Sequence, residues 1–123
     1  MAVAGREGSL LEWQWRNYSR NHRDRLNLLI HMVGVPAFIA GMLAFVTQAL
    51  RAQWFGAAIA LAVALIGFAV QGIGHKREHV PPEAFAGPAD FLARVFAEQF
   101  ITFPRFVLFG YWARNLADTD SPD

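Results

Sequence analysis

The chain has 123 residues, of which 54% are AVILMFWYC and only 17% are charged, against the roughly 25% usual for soluble domains. Such a length sets one domain, and the absence of cysteine excludes disulfides, thiolate ligands and cysteine nucleophiles. A net charge of +1, with no run of Lys and Arg, leaves no electrostatic footing for nucleic acid.

The N-terminal stretch "MAVAGREGSLLEWQW" has no apolar core followed by a small-residue cleavage site, so no signal peptide is expected and residues 1–17 are read as an interfacial segment. Next comes "LNLLIHMVGVPAFIAGMLAFVTQAL", Leu26 to Leu50. At about 1.5 Å per residue it is long enough to cross the roughly 30 Å hydrocarbon layer of a bilayer. Asn27 and His31 stand near its start, and Pro36, one turn later, predicts a kink. "RAQ", residues 51–53, connects it to "WFGAAIALAVALIGFAVQGIG", Trp54 to Gly74, in which Gln71 is the one strongly polar side chain. Apolar residues cover every face of this second run, and a chain this short has little interior in which to hide it. Three connecting residues join only antiparallel neighbours, so the two runs form a helical hairpin.

A third helical segment is read over residues 88–115. "GPADF" supplies its start, and Arg94, Glu98 and Arg105, at spacings of 4 and 7, share one face. Pro104 splits it into an amphipathic interfacial half and a short re-entrant half ending in an aromatic Tyr111-Trp112 belt, with a full third span as the alternative. The acidic tail, residues 116–123, is expected to be disordered. The expected fold is therefore all-α: one membrane domain over 1–123, a hairpin of two transmembrane helices within 18–85, and an amphipathic or re-entrant third segment. Arg6, Arg16, Arg20, Arg23, Arg25, Lys76 and Arg77 gather at one end of the hairpin and only Arg51 at its tip, so the positive-inside rule turns the histidine end and the N-terminus toward the cytoplasm.

Counting outward from Ala52, His31 lies 21 residues back and His75 lies 23 forward, a mismatch of about 3 Å in helix rise. His22 and His79 are 30 back and 27 forward, so all four histidines collect at one end. His75 and His79 share a face at i, i+4, as do Asn27 and His31. His22 and His31, nine apart, fall on opposite faces of an unbroken helix, and "HRDRLN" holds no Pro or Gly to break it. His31, inside an apolar run, is the histidine whose position most demands a role. "HKREH" also matches the H-x-x-E-H pattern of inverted zinc proteases, but lacks a third protein ligand of the usual sort. Four imidazoles without a thiolate suit Fe(II), Zn, Cu or Ni, and Fe(II) with open positions activates O₂. Asn27, Tyr18 and Glu78 are the candidate catalytic side chains, able to orient imidazoles or a substrate carboxylate. Arg20, Arg23, Arg25, Lys76 and Arg77 are candidates to hold that carboxylate by charge.

"YSRNHRDRLNLLIHMVGVP", residues 18–36, has the pattern Tyr-x3-His-x4-Asn-x3-His-x2-Gly-x-Pro, and "GIGHKREHVPPEAF" follows the hairpin. Together they resemble the Mpo-like 2-hydroxy fatty acid dioxygenase family. The resemblance implies an integral membrane protein of the bacterial inner membrane that uses Fe(II) and O₂ to shorten a long-chain 2-hydroxy fatty acid by one carbon. Carried over by position, it makes His22, His31 and His75 iron ligands, with Asn27 and Glu78 beside them; His79, a further candidate ligand, stands where many members have another residue. A membrane hairpin with no chemistry, serving assembly or interaction, is the alternative, and it predicts histidines that lie apart. A two-iron hydroxylase needs more histidines than the four present.

Overall fold

The computed structural model describes residues 5–118, whose regular elements are all helices, with no strand among them. Helix α1 (Leu10–Tyr18) starts at Ser9 with a capping box: Glu12 N–H donates to the Ser9 hydroxyl at 3.2 Å and Ser9 N–H to the Glu12 carboxylate at 2.8 Å. Helices α2 (Arg25–Leu50) and α3 (Trp54–His75) form the expected antiparallel hairpin, turned over Arg51–Gln53 with Ala52 at φ 54. α2 runs unbroken through Pro36. The third segment comprises α4 (Pro88–Ala97), a π turn (Glu98–Thr102), α5 (Phe103–Leu108) and α6 (Tyr111–Ala117).

The hairpin closes along a seam of small side chains. On α3 the buried positions are Ala57, Ala60, Ala64, Gly67, Gln71 and Gly74, at alternating spacings of three and four. Gly34, Val35, Phe38 and Gly41 are buried on α2. A Cβ on Gly41 would stand 2.8 Å from the Ala60 carbonyl oxygen, and one on Gly34 would stand 2.9 Å from that of Gly67. The glycines therefore set the interhelical distance, as in membrane helix pairs. Both helices are long and apolar enough to cross a membrane, yet only 28% and 22% of their most apolar stretches are buried. A core helix of a soluble protein would be mostly buried. Here Val33, Leu43, Leu50, Phe55, Ile66 and Ile73 are among the exposed side chains, an apolar surface of the kind that marks a membrane or protein contact.

Two expectations for the third segment change. The chain stays helical through Pro104, because the π turn just before it absorbs the misfit and leaves proline in the first turn of α5. The break comes at Gly110 instead, in the left-handed region at φ 82. Tyr111 and Trp112 do not project as a free belt: Tyr111 packs edge-on to Trp15, and Trp112 donates its indole N–H to Leu28 O at 2.9 Å. Leu116 and Ala117, read as part of the tail 116–123, belong to α6; residues 119–123 lie outside the described residues.

Candidate metal centre

The break needed to bring His22 and His31 together is present, and no Pro or Gly makes it. α1 ends at Tyr18 and α2 begins at Arg25 behind an Asp24 cap, whose carboxylate accepts from Asn27 N–H at 2.9 Å. The non-helical backbone between them is satisfied by side chains from distant segments. Glu78 accepts from Arg23 N–H at 2.7 Å, Asp24 N–H at 2.9 Å and the Asn27 side-chain amide at 2.8 Å. Asn115 of α6 donates to the carbonyls of Ser19 at 2.9 Å and His22 at 2.8 Å.

Freed from α2, the His22 ring turns back on the centre. Its centroid lies 4.7 Å from that of His31 and 4.9 Å from that of His75, and His31 and His75 are 4.7 Å apart. Two of the rings are held by backbone carbonyls: His22 Nδ1 lies 2.8 Å from Tyr18 O and His31 Nδ1 lies 3.0 Å from Asn27 O. Donation from Nδ1–H to those carbonyls fixes the tautomer and points each Nε2 lone pair inward. His22 Nε2, His31 Nε2 and His75 Nδ1 are buried and have no hydrogen-bond partner. Three orphaned nitrogens facing one point are costly unless an ion takes their lone pairs.

The fourth member of the cluster is Glu98, from the π turn. His22, His31, His75 and Glu98 offer ligand atoms that all lie within 4.8 Å of one another. Glu98 Oε2 is 3.5 Å from His22 Nε2, an electrostatic approach rather than a hydrogen bond. Burial pushes the Glu98 carboxyl up, but the contact with His22 and the surrounding imidazoles more than reverse this and hold it well below the usual carboxylate range. It is a carboxylate facing three imidazole nitrogens. Three nitrogens and one carboxylate oxygen form a donor set for a divalent transition metal, and the residues fit one. The sequence offered a signal for Glu98, a lone acid within the apolar run "VFAEQFITF".

The remaining candidates take other places. His79 is exposed and outside the cluster, because α3 ends at His75 and the chain then turns, so the i, i+4 relation does not hold. Glu78 faces the start of α2 rather than the imidazoles, and no H-x-x-E-H arrangement forms. Asn27 is fully buried and orients His31 through its backbone carbonyl. Tyr18 stacks on His22, with ring centroids 3.9 Å apart, and its hydroxyl is buried without a hydrogen-bond partner. Burial and the Glu98 charge push that hydroxyl well above its ordinary value, so it stays a neutral donor. Phe103 and Phe106, 3% and 1% exposed, wall the cluster on the side away from its opening.

That opening is a cavity of about 290 Å³, near the lower end for small-molecule pockets. His22, His75 and Glu98 line one part of it; Phe68, Phe85 and Arg94 line another. None of Arg20, Arg23, Arg25, Lys76 and Arg77 lines it. Arg77 pairs with Asp24 at 2.9 Å and Arg20 donates to Asn17 at 2.9 Å.

A family model described as 2-hydroxy-palmitic acid dioxygenase Mpo1-like matches residues 9–104, a span that includes all four members of the cluster. No curated protein and no solved structure matches.

Proposed function

The chain belongs to the 2-hydroxy-palmitic acid dioxygenase Mpo1-like family, and from that premise we propose that it is a membrane-bound, Fe(II)-dependent dioxygenase that shortens a long-chain 2-hydroxy fatty acid by one carbon. One observation carries the reading: three buried, unpartnered imidazole nitrogens and one carboxylate converge from four different elements. A hairpin that serves only assembly has no use for such convergence, since each orphaned nitrogen costs stability.

Iron bound there supplies the capacity to bind and activate O₂. The protein's own groups do the rest. The carbonyls of Tyr18 and Asn27 hold two imidazoles in the ligating tautomer, and Glu98 supplies a negative charge that favours a dication over a monovalent ion. The phenol of Tyr18 is positioned to donate a hydrogen bond to a substrate oxygen in the cavity. Phe103 and Phe106 exclude water, each contributing roughly 1.5–3 kcal/mol by burial. The apolar wall of Phe68, Phe85 and Val95 accepts the start of the acyl chain. Placement in the bacterial inner membrane, with the histidine end toward the cytoplasm, belongs to this reading; the two apolar helices and the basic residues at that end support it.

The test is metal content and turnover together. Purified anaerobically in detergent and reconstituted, the wild-type chain should hold one iron and consume O₂ with 2-hydroxypalmitate, releasing an aldehyde or odd-chain acid. His22→Ala, His31→Ala, His75→Ala and Glu98→Gln should each lower iron affinity by about a hundredfold or more, beyond the roughly 10–100-fold of a group merely supporting a ligand. His79→Ala should leave it unchanged. A wild-type chain that binds no iron would overturn the reading.

A further inference from the structure

Beside the metal cluster lies a group of buried charges that do not cancel. Asp90 opens α4 and is 3% exposed; Arg6 grips its carboxylate with two hydrogen bonds, of 2.6 and 3.0 Å. Arg94, one turn on, reaches the same carboxylate only at 3.6 Å. The side chains of Arg6 and Arg94 are 6% and 7% exposed, whereas Glu83, the other acid nearby, is 59% exposed and 3.7 Å from Arg6. Two buried guanidinium groups thus face one buried carboxylate, and one positive charge is in excess. Buried charges are ordinarily paired. Burial and the neighbouring Arg6 push the Arg94 guanidinium below its ordinary value, and Asp90 and Glu83 offset this only in part.

Arg94 is also preorganised. It donates to the carbonyls of Ala84 at 3.1 Å and Glu83 at 2.7 Å, and its guanidinium lies 4.3 Å over Phe85 and 5.0 Å over Trp13. These contacts hold and partly solvate the fork without neutralising it. Arg94 lines the same cavity as His22, His75 and Glu98, and it is the one Lys or Arg among the lining residues. A dication held by three neutral imidazoles and one carboxylate keeps a further positive charge, so the loaded cavity favours an anion at both ends.

We propose that Arg94 is the carboxylate-binding residue of this cavity. It holds the acid group of the fatty acid substrate while the Phe68–Phe85 wall takes the chain behind it. The assignment rests on the dioxygenase reading for the identity of the acid, but its charge argument is separable by experiment.

Equilibrium binding can be measured by calorimetry on zinc-loaded protein in an uncharged detergent, where no turnover occurs because zinc has no redox chemistry. The wild type should bind palmitate and 2-hydroxypalmitate about ten- to a hundredfold more tightly than hexadecanol, the range for hydrogen bonds to a charged group. In Arg94→Gln that ratio should fall by about tenfold, leaving only the dication's own share of the preference, and Arg94→Lys should retain more of it, since a point charge replaces the fork. A ratio unchanged in Arg94→Gln, with both ligands weakened alike, would reduce Arg94 to a structural residue and overturn the proposal. Absence of any preference in the wild type would overturn it without a variant, so a misfolded Arg94→Gln gives no shelter. Tighter binding of hexadecyl phosphate than of palmitate would also overturn it, assigning the cavity to phosphate-headed lipids. Iron-loaded protein that consumes no O₂ with 2-hydroxypalmitate sinks the dioxygenase reading instead and leaves the acid-to-alcohol ratio standing.

Discussion

Gln71 of α3 and Gln99 of the π turn are 1% and 0% exposed, and their amides exchange two hydrogen bonds, of 2.9 and 2.8 Å. The pair fastens the turn that carries Glu98 to the helix that carries His75. Replacing either partner leaves the other buried amide without their mutual bonds, Gln99 Nε2 keeping only Glu98 Oε1 at 3.2 Å, so Gln71→Leu or Gln99→Leu should each cost roughly 1–3 kcal/mol. The double variant removes both polar groups, and its two apolar side chains need no partners. It should cost less than either single change. The resulting interaction energy, at least about 1 kcal/mol, falls toward the upper end of pairwise values measured in membrane helices. Equilibrium unfolding in mixed micelles of rising denaturing-detergent fraction reads these differences, and zinc affinity reads the displacement of Glu98 alongside them. The single variants should lose zinc affinity and the double should regain part of it. A double variant whose cost equals the sum of the two singles would refute the claim that these amides act as a unit.

Glu78→Gln turns one of the two carboxylate oxygens that serve three donors at the break between α1 and α2 into a donor itself, and should lower stability by about 1–3 kcal/mol. Because Glu78 acts on the backbone and not on the substrate, excess iron should restore its turnover; a defect that persists at saturating iron would contradict that role. Asp90 titrates well below the usual carboxylate range, chiefly through its hydrogen bond from Arg6, so it contributes stability above the unfolded-state value of about 3.9 that is lost as pH falls through the folded one. Unfolding followed against pH should show Asp90→Asn less stable than wild type near neutrality, with the gap closing below about pH 4.

The hairpin was legible because hydrophobic length and a three-residue link leave few alternatives. Counting depth from Ala52 put His31 and His75 at one level, and their rings meet at 4.7 Å. The small-residue seam that sets the spacing lay hidden, since glycine and alanine score as merely apolar. The break after Tyr18 was required by the histidine phases but had no local signal beyond the capping pattern at Asp24; its carbonyls depend on Asn115, more than ninety residues away. His79 was misplaced by extending α3 one turn too far. Glu98 was read with Arg94 and Arg105 on one surface face. The spacing of four to Arg94 holds, and both line the cavity. The spacing of seven to Arg105 fails because the π turn intervenes, and Arg105 is exposed with its guanidinium over Trp15.

The same widened loop of backbone has a mechanical consequence. Between Glu98 and Phe103 the chain winds more slowly than an α-helix, so the acid that completes the ligand set and the phenylalanines that keep its surroundings dry are indexed independently along one rod. Were these five residues to rewind as α-helix with none removed, each would turn by about 100° instead of roughly 80°, and everything downstream would swing by roughly 90°. Glu98 would stay on station while Phe103 and Phe106 rotated away, leaving the cluster of His22, His31, His75 and Glu98 intact and its hydrophobic shutter open.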